Sequence, residues 1–268
     1  MSESIILGLI QGITEWLPVS SQGLTALSAN LLYGKPPEEA LKLSLWLHLG
    51  TALAALIAFR EKIYDLSKDF VKSPTNPSQE FKFLLIGTAV SATIAFSIIV
   101  GVYETVDSEY LDRPSTIFSA IVGFFMTITG LVQLTAVRNI IRPRSNIRNI
   151  DGLLIGIAQG VAILPGISRS GLTLCSLLVR GFDKKDALTL SFLLGIPASI
   201  GGSIYGLTSS EISLSVYNLI AVCVSFITGL ITIRLMLNFA AKINFGVFVF
   251  TVGILLTSSS LFSYFNTS

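Results

Sequence analysis

The sequence predicts an all-α polytopic membrane protein made of two inverted-topology repeats, each a re-entrant helical hairpin followed by three transmembrane helices. Three observations predict it. The chain is 51% apolar and only 13% charged, against about 25% charged in a soluble domain, and its mean hydropathy is +0.74. Its charges gather in short stretches, separated by apolar segments of about 20 residues, the length a spanning helix needs. Two further apolar stretches, near 3–34 and 151–181, are each broken midway by polar, proline-bearing sequences that copy one another.

In chain order, the first stretch, 3–34, is interrupted by Glu15-Trp16-Leu17-Pro18-Val19-Ser20-Ser21. The helix on either side is short. At 1.5 Å per residue it covers about half of the hydrocarbon core, so a re-entrant hairpin is expected. Non-helical backbone at that depth is tolerated only where protein buries it or water reaches it. Spans follow at about 38–60, 81–103 and 115–138. Arg60, Lys62, Lys68, Lys72 and Lys82 place the loop between the first two on the cytoplasmic side, and Pro74, Asn76 and Pro77 make its tip a turn. Before the third span, Glu104, Asp107, Glu109 and Asp112 outweigh Arg113, so that segment faces outside. From 138 to 148 the chain carries Arg138, Arg142, Arg144 and Arg148 and no acid, and returns inside. The second stretch, 151–181, is broken by Leu164-Pro165-Gly166-Ile167-Ser168-Arg169-Ser170. Spans at 184–208, 215–235 and 245–265 complete the chain, with Arg234 and Lys242 again on the inner side. Three crossings per unit force the second unit to enter from the opposite face. The result is one membrane domain, 1–268, of two repeats, 1–145 and 146–268, with a binding site expected where the hairpins meet at the midplane.

The copying is specific. Shifted by 148 residues, Gly8, Gln11, Gly12, Ser20, Gly23, Leu24, Thr25 and Ser28 fall on Gly156, Gln159, Gly160, Ser168, Gly171, Leu172, Thr173 and Ser176 without a gap. Shared membrane composition inflates matches at leucine, but not at glutamine, glycine and serine. After one residue of slippage, Ala40-Leu41-Lys42-Leu43-Ser44 matches Ala187-Leu188-Thr189-Leu190-Ser191.

Facing hairpin tips would bring two helix N-termini together, with Ser20 and Ser21 on one and Ser168, Arg169 and Ser170 on the other. Free N–H groups and partial positive charge make such a place an anion site, for which phosphate is the usual occupant. Arg169 adds a fixed cation whose fork suits phosphate oxygens, and an ionisable group at membrane depth is a functional candidate by default. Glu15 ends an uncharged run from Ile5 and shares a helix face with Gln11. Together Gln11, Glu15, Ser21, Arg169 and Thr173 offer a hydroxyl, a proton-transfer group and charge stabilisation, the needs of phosphoryl transfer.

Plainer readings stand beside these. Ser20 and Ser168 can be simple N-caps, Arg169 a structural partner of Glu15, and Glu15 a cation ligand. His48, the only histidine, is either a hydrogen-bonded packing residue or a support beside the site. Cys175 and Cys223 lack a CxxC spacing and read as small buried hydrophobes. The spacings Gly195 to Ser199 and Gly201 to Gly206 read as close helix packing. The Met1 region lacks a basic n-region, so no cleavable signal peptide is expected.

At these residues the chain resembles the undecaprenyl-diphosphate phosphatases associated with bacitracin resistance, over nearly its whole length. The resemblance rests on Gln11-x-x-x-Glu15 followed by Leu17-Pro18-Val19-Ser20-Ser21, and on Pro165-Gly166-Ile167-Ser168-Arg169-Ser170-Gly171-x-Thr173. It implies a phosphoanhydride hydrolase of the plasma membrane that removes the terminal phosphate of a polyprenyl diphosphate and so recycles the lipid carrier for envelope polymers, its site open to the outer side. It further implies Glu15 as the acid/base or ion-binding carboxylate, Ser21 as nucleophile and Arg169 as diphosphate ligand. Gln11, Ser20, Ser168, Ser170, Gly171 and Thr173 would line the substrate pocket. A divalent cation, magnesium or calcium, with Glu15 as its protein ligand, is expected to assist; no organic cofactor and no nucleic-acid partner are expected, and a homodimer is expected by analogy. In one respect the chain departs from the family: Leu24 stands where most members carry a histidine implicated in catalysis. At this stage two other readings stay open, a polyprenyl-phosphate transporter and a homologue with lapsed or altered activity.

Overall fold

The computed structural model describes residues 1–105, 115–135, 142–208, 215–239 and 245–267. Asp107, Glu109, Asp112, Arg113, Arg138 and Lys242, on which part of the orientation argument rests, lie outside the described residues. The described chain is helical, with eleven α-helices and one short 3-10 turn. They are α1 (Ser2–Thr14), α2 (Ser21–Tyr33), α3 (Pro37–Ala58), α4 (Arg60–Lys72), α5 (Gln79–Thr105), α6 (Ser115–Thr135), α7 (Asn149–Val161), α8 (Arg169–Val179), α9 (Lys184–Thr208), α10 (Val216–Phe239) and α11 (Phe245–Thr267).

Six of these, α3, α5, α6, α9, α10 and α11, are long and apolar enough to cross a membrane. They coincide with the six expected spans to within a few residues. The exposed faces of α5 and α11 carry large apolar side chains such as Phe96, Leu255, Phe262 and Phe265. Such faces belong in lipid, where the helix satisfies its own backbone. Both interrupted stretches are pairs of short helices. Ser20 and Ser168 cap the second member of each pair, their hydroxyls accepting from the N–H of Gly23 (3.3 Å) and Gly171 (3.0 Å). Gly34 ends α2 at φ +66°, the left-handed conformation glycine tolerates, and Pro37 with Glu38 and Glu39 then starts α3.

The main packing pairs all cross the midpoint of the chain. α1 lies on α10, α7 on α5, α3 on α9 and α6 on α11. The matched glycines explain the first two. A Cβ on Gly8 or Gly12 would strike the carbonyl of Ala221 or Ser225 on α10, and one on Gly156 or Gly160 would strike that of Gly87 or Ser91 on α5. Backbones approach this closely only where side chains are absent. The two buried apolar clusters likewise mix the halves, Trp16 with Phe192 and Ile233 in one, Leu47 with Val122 and Val249 in the other.

Two expectations need correction. The segment after the first span is not all loop. Arg60–Lys72 forms helix α4, charged on one side with Phe70 stacked on Phe81 at 4.7 Å. A search for apolar runs passes over such a helix. Cys175 is buried as expected, but Cys223 is exposed on α10, facing outward from the bundle. One end of the bundle gathers charge. Lys62 and Arg144 meet on Glu80, and Arg142 and Arg180 pair with the buried Asp151 at 2.6 and 2.7 Å. Burial would raise the Asp151 carboxyl, but the hydrogen bonds of Arg142, Arg180 and the Arg148 N–H outweigh it and hold the group below its usual range.

Candidate active site

The two helix breaks touch. The Ser20 hydroxyl accepts not only from its own helix but also from the N–H of Gly166 in the other break, at 3.1 Å. The Ser170 hydroxyl donates to the carbonyl of Leu17 at 2.7 Å, and Gln133 on α6 donates to that of Pro18 at 2.6 Å. Gly166 adopts φ +98°, and a Cβ there would strike the Val122 carbonyl, so glycine alone makes the turn that lets the tips meet.

Glu15 is the centre of what they enclose. It is 3% exposed, and both carboxylate oxygens have polar partners. Oε2 accepts from Gln11 Nε2 at 2.8 Å and from the Ser21 hydroxyl at 2.7 Å, and lies 3.2 Å from His48 Nε2. Oε1 is ion-paired with Arg169 Nη2 and accepts from the Ser199 hydroxyl at 3.3 Å. Burying a carboxylate is costly unless it is paired and hydrogen-bonded in this way. Arg169 also lies over the Trp16 ring, 5.5 Å from its centroid.

His48 joins this arrangement. Its Nδ1 is 2.7 Å from the Ser44 carbonyl, which can only accept, so Nδ1 carries a hydrogen. Its Nε2 lies 3.2 Å from Glu15 Oε2. His48 is hydrogen-bonded to the Ser44 carbonyl and also lies beside Glu15, so its place fits both sequence readings.

Other predicted residues are distributed around this centre. Ser20, Ser21, Ser168, Arg169 and Ser170 join Glu15 and His48 as walls of a small polar cavity of about 40 Å³. Gln11 stands behind Glu15, fully buried, and its Oε1 accepts from Thr25 at 3.1 Å. Gly171 serves the Ser168 cap. Thr173 turns away from the cavity, its hydroxyl donating to the Arg169 carbonyl at 2.8 Å and lying 2.6 Å from the Ser191 hydroxyl. Leu24 packs against the second apolar cluster.

Sequence reasoning missed Ser199, Thr25, Gln22 and Gly195. Thr25 was visible only as a repeat match. A signal for the α9 pair existed: Pro197 sits inside a predicted span, and a proline there removes a backbone bond, often beside a cavity. Against the small cavity lies a larger, mostly apolar one of about 320 Å³ between α5, α7 and α9. The two share His48, Arg169, Gln22 and Ala162 as walls. Among the described residues no group of three or more His, Cys, Asp or Glu side chains gathers as a ready-made metal site. The arrangement can hold a polar head of negative charge at Arg169, supply a hydroxyl and a carboxylate at hydrogen-bond distance, and receive an apolar tail alongside.

The profile of the family described as bacitracin resistance protein BacA matches residues 4–256. A protein of Methanococcoides burtonii named undecaprenyl-diphosphatase is 38% identical over 264 residues, covering 95% of this chain and 96% of its own. Proteins of the same name from Haloarcula marismortui and Alkaliphilus metalliredigens are each 33% identical, over 248 and 278 residues, covering 90% and 97% of this chain and 90% and 98% of their own.

Proposed function

We propose that this chain, which belongs to the bacitracin resistance protein BacA family, hydrolyses undecaprenyl diphosphate to the monophosphate and phosphate. It is a multi-pass membrane enzyme, and its reaction returns a lipid carrier to the synthesis of envelope polymers. One observation carries the residue assignment: a polar cavity holding Glu15, Ser21 and Arg169 shares walls with an apolar cavity. A ligand with a charged head and a prenyl tail matches that pairing.

In the mechanism we favour, Arg169 binds the diphosphate and neutralises the charge that develops on the terminal phosphoryl oxygens. The Ser21 hydroxyl, which donates to Glu15 at 2.7 Å, attacks the terminal phosphorus as its proton passes to the carboxylate. The bond from that phosphorus to the bridging oxygen breaks, and the prenyl monophosphate leaves. Water then cleaves the phosphoserine, and the proton returns to Ser21 by way of Glu15, with His48 as the supporting proton carrier in a chain where Leu24 cannot serve. Gln11 orients Glu15. Ser20, Ser168, Ser170 and the two helix N-termini complete the anion site, while Gly171 and Thr173 hold α8 behind it. Among the described residues, Glu15 would be the one carboxylate here to hold a magnesium or calcium ion, which would therefore bind only together with the substrate. It would supply charge neutralisation on the diphosphate.

The two-repeat architecture is part of the same proposal. Residues 1–145 and 146–268 form inverted units, with α1–α2 and α7–α8 as re-entrant hairpins. Its support is the exchange pattern of the packing, α1 on α10 answered by α7 on α5. The meeting of Lys62 and Arg144 on Glu80 supports a single cationic, cytoplasmic end. We place the protein in the plasma membrane with its site open to the outer side, and a homodimer follows by family analogy alone. The test is phosphate release from detergent-solubilised undecaprenyl diphosphate by the purified protein. Release with magnesium or calcium, abolished by Ser21→Ala and by Arg169→Ala, is the expected result; no release with either ion would overturn the assignment.

A further inference from the structure

Resting on that phosphatase reading, we infer that Gly195, with Ser199 one turn later on α9, is the seat that positions Arg169. Several other glycines in this fold admit backbone. Gly8, Gly12 and Gly156 face carbonyl oxygens of neighbouring helices. Gly195 is different: the three nearest heavy atoms to a Cβ built there all belong to Arg169, namely Nη1, Cζ and Nη2. The guanidinium occupies the volume that any side chain at 195 would need, so Gly195 is a positioning residue and not a packing one.

The rest of the seat fixes the orientation of the guanidinium. Nη2 is ion-paired with Glu15 and lies 3.4 Å from the Ser199 hydroxyl, which itself donates to Glu15. The Trp16 ring covers the guanidinium. Nη1 is buried without a hydrogen-bond partner, although Arg169 walls both cavities. A buried, charged N–H donor left unpaired is costly. Held in this seat, Arg169 keeps Nη1 lodged against Gly195 and Nη2 on Glu15, which fixes the guanidinium beside both cavities. Ser199 sets the rotation of the fork, and the missing side chain at Gly195 lets the fork reach that depth.

The experiment uses the full chain in detergent and compares isosteric glycine substitutions. Gly195→Ala should lower kcat/KM about 100-fold, the scale of a misplaced binding group. Gly101→Ala, on α5 where a Cβ would meet nothing within 4 Å, should leave activity near wild type. In an Arg169→Lys background, where Nη1 and Cζ no longer exist, Gly195→Ala should cost far less than it does in the wild type. Thermal midpoints separate positioning from folding: Gly195→Ala should lower the midpoint beside Arg169 but not in an Arg169→Ala background. Wild-type activity in Gly195→Ala, or an equal loss beside Arg169 and beside the lysine, overturns the inference. If the wild type releases no phosphate, the phosphatase reading fails instead, and the midpoint comparison still decides whether Gly195 seats Arg169.

Discussion

Where the first half of the chain carries Glu15, Ser21 and His48, the second half, at the matching positions, carries Ile163, Arg169 and Gly195. The residues around them are the same in both: Gly8 and Gly156, Gly12 and Gly160, Ser20 and Ser168, Gly23 and Gly171. In space the first set of three supplies the acid, the hydroxyl and the imidazole. The second supplies the cation and the room for it. A duplicated scaffold that also duplicated its chemistry would set two carboxylates, or two guanidiniums, against each other in a buried site, and like charges there are strongly unfavourable. The contrast at these three pairs makes the two halves complementary at the site. The shared glycines mark scaffold, and the differences at these three pairs mark the charged centre.

The most forceful way to break that contrast is to empty one side of it. Arg169→Ala and Ser21→Ala should each lower kcat by about 1,000-fold or more, the scale of removing a charge clamp or nucleophile in phosphoryl transfer. Steady-state phosphate release reads the loss. Replacing Ile163, the counterpart of Glu15, with Val should change the rate little, because the second half carries no acid to lose.

Stability tests whether the two sides depend on each other. Glu15→Gln or Arg169→Gln alone leaves one buried charge unpaired and should destabilise the protein by about 3–5 kcal/mol. The double variant should regain much of that stability while remaining inactive. A double variant no more stable than either single would mean that the Glu15–Arg169 pair is not the tie between the tips.

His48 sharpens the comparison at a smaller scale. His48→Asn should lower kcat about 10- to 100-fold, as loss of a supporting proton carrier does, with KM little altered. Leu24→His should add nothing in the wild type, since Leu24 packs against apolar neighbours and His48 already contacts Glu15. A gain in rate from Leu24→His would show instead that the proton path is incomplete as it stands.

How far the sequence carries this picture follows from the same contrast. The six spans, the two breaks and the matched glycines are local or periodic signals, and hydropathy and self-comparison read them directly. Glu15, Ser21 and Arg169 stand out because charge and hydroxyls are out of place in apolar runs. Ser199 does not stand out, since serines are ordinary in packed membrane helices, and its contact with Glu15 spans 184 residues of chain. Gly195 is harder still, because its role is the absence of a side chain at a place that only the assembled fold defines. Helix α4 escapes for the opposite reason: its alternating charge and apolar residues satisfy no search for a span. Cys223 shows that an apolar setting in sequence does not say whether a residue faces the bundle or the lipid.

The smallest predicted effect tests the shared frame. If Gly12 and Gly160 do the same work in the two halves, Gly12→Ala and Gly160→Ala should destabilise to a similar degree, about 1–3 kcal/mol for an overpacked contact. The obstacles differ in kind: Thr228 and the Ser225 carbonyl on α10 for one, Ile94 and the Ser91 carbonyl on α5 for the other. The consequences for activity should differ as well. α1 runs straight into Glu15, so a shift of α1 off α10 should reach the carboxylate and lower the rate. α7 ends before Ile163, which carries no acid, so a shift of α7 should cost stability with a smaller loss of rate. Thermal midpoints and phosphate release on the same two variants check both halves of the statement. Equal losses of rate would mean that the frame, and not only the three divergent positions, couples each hairpin to the chemistry.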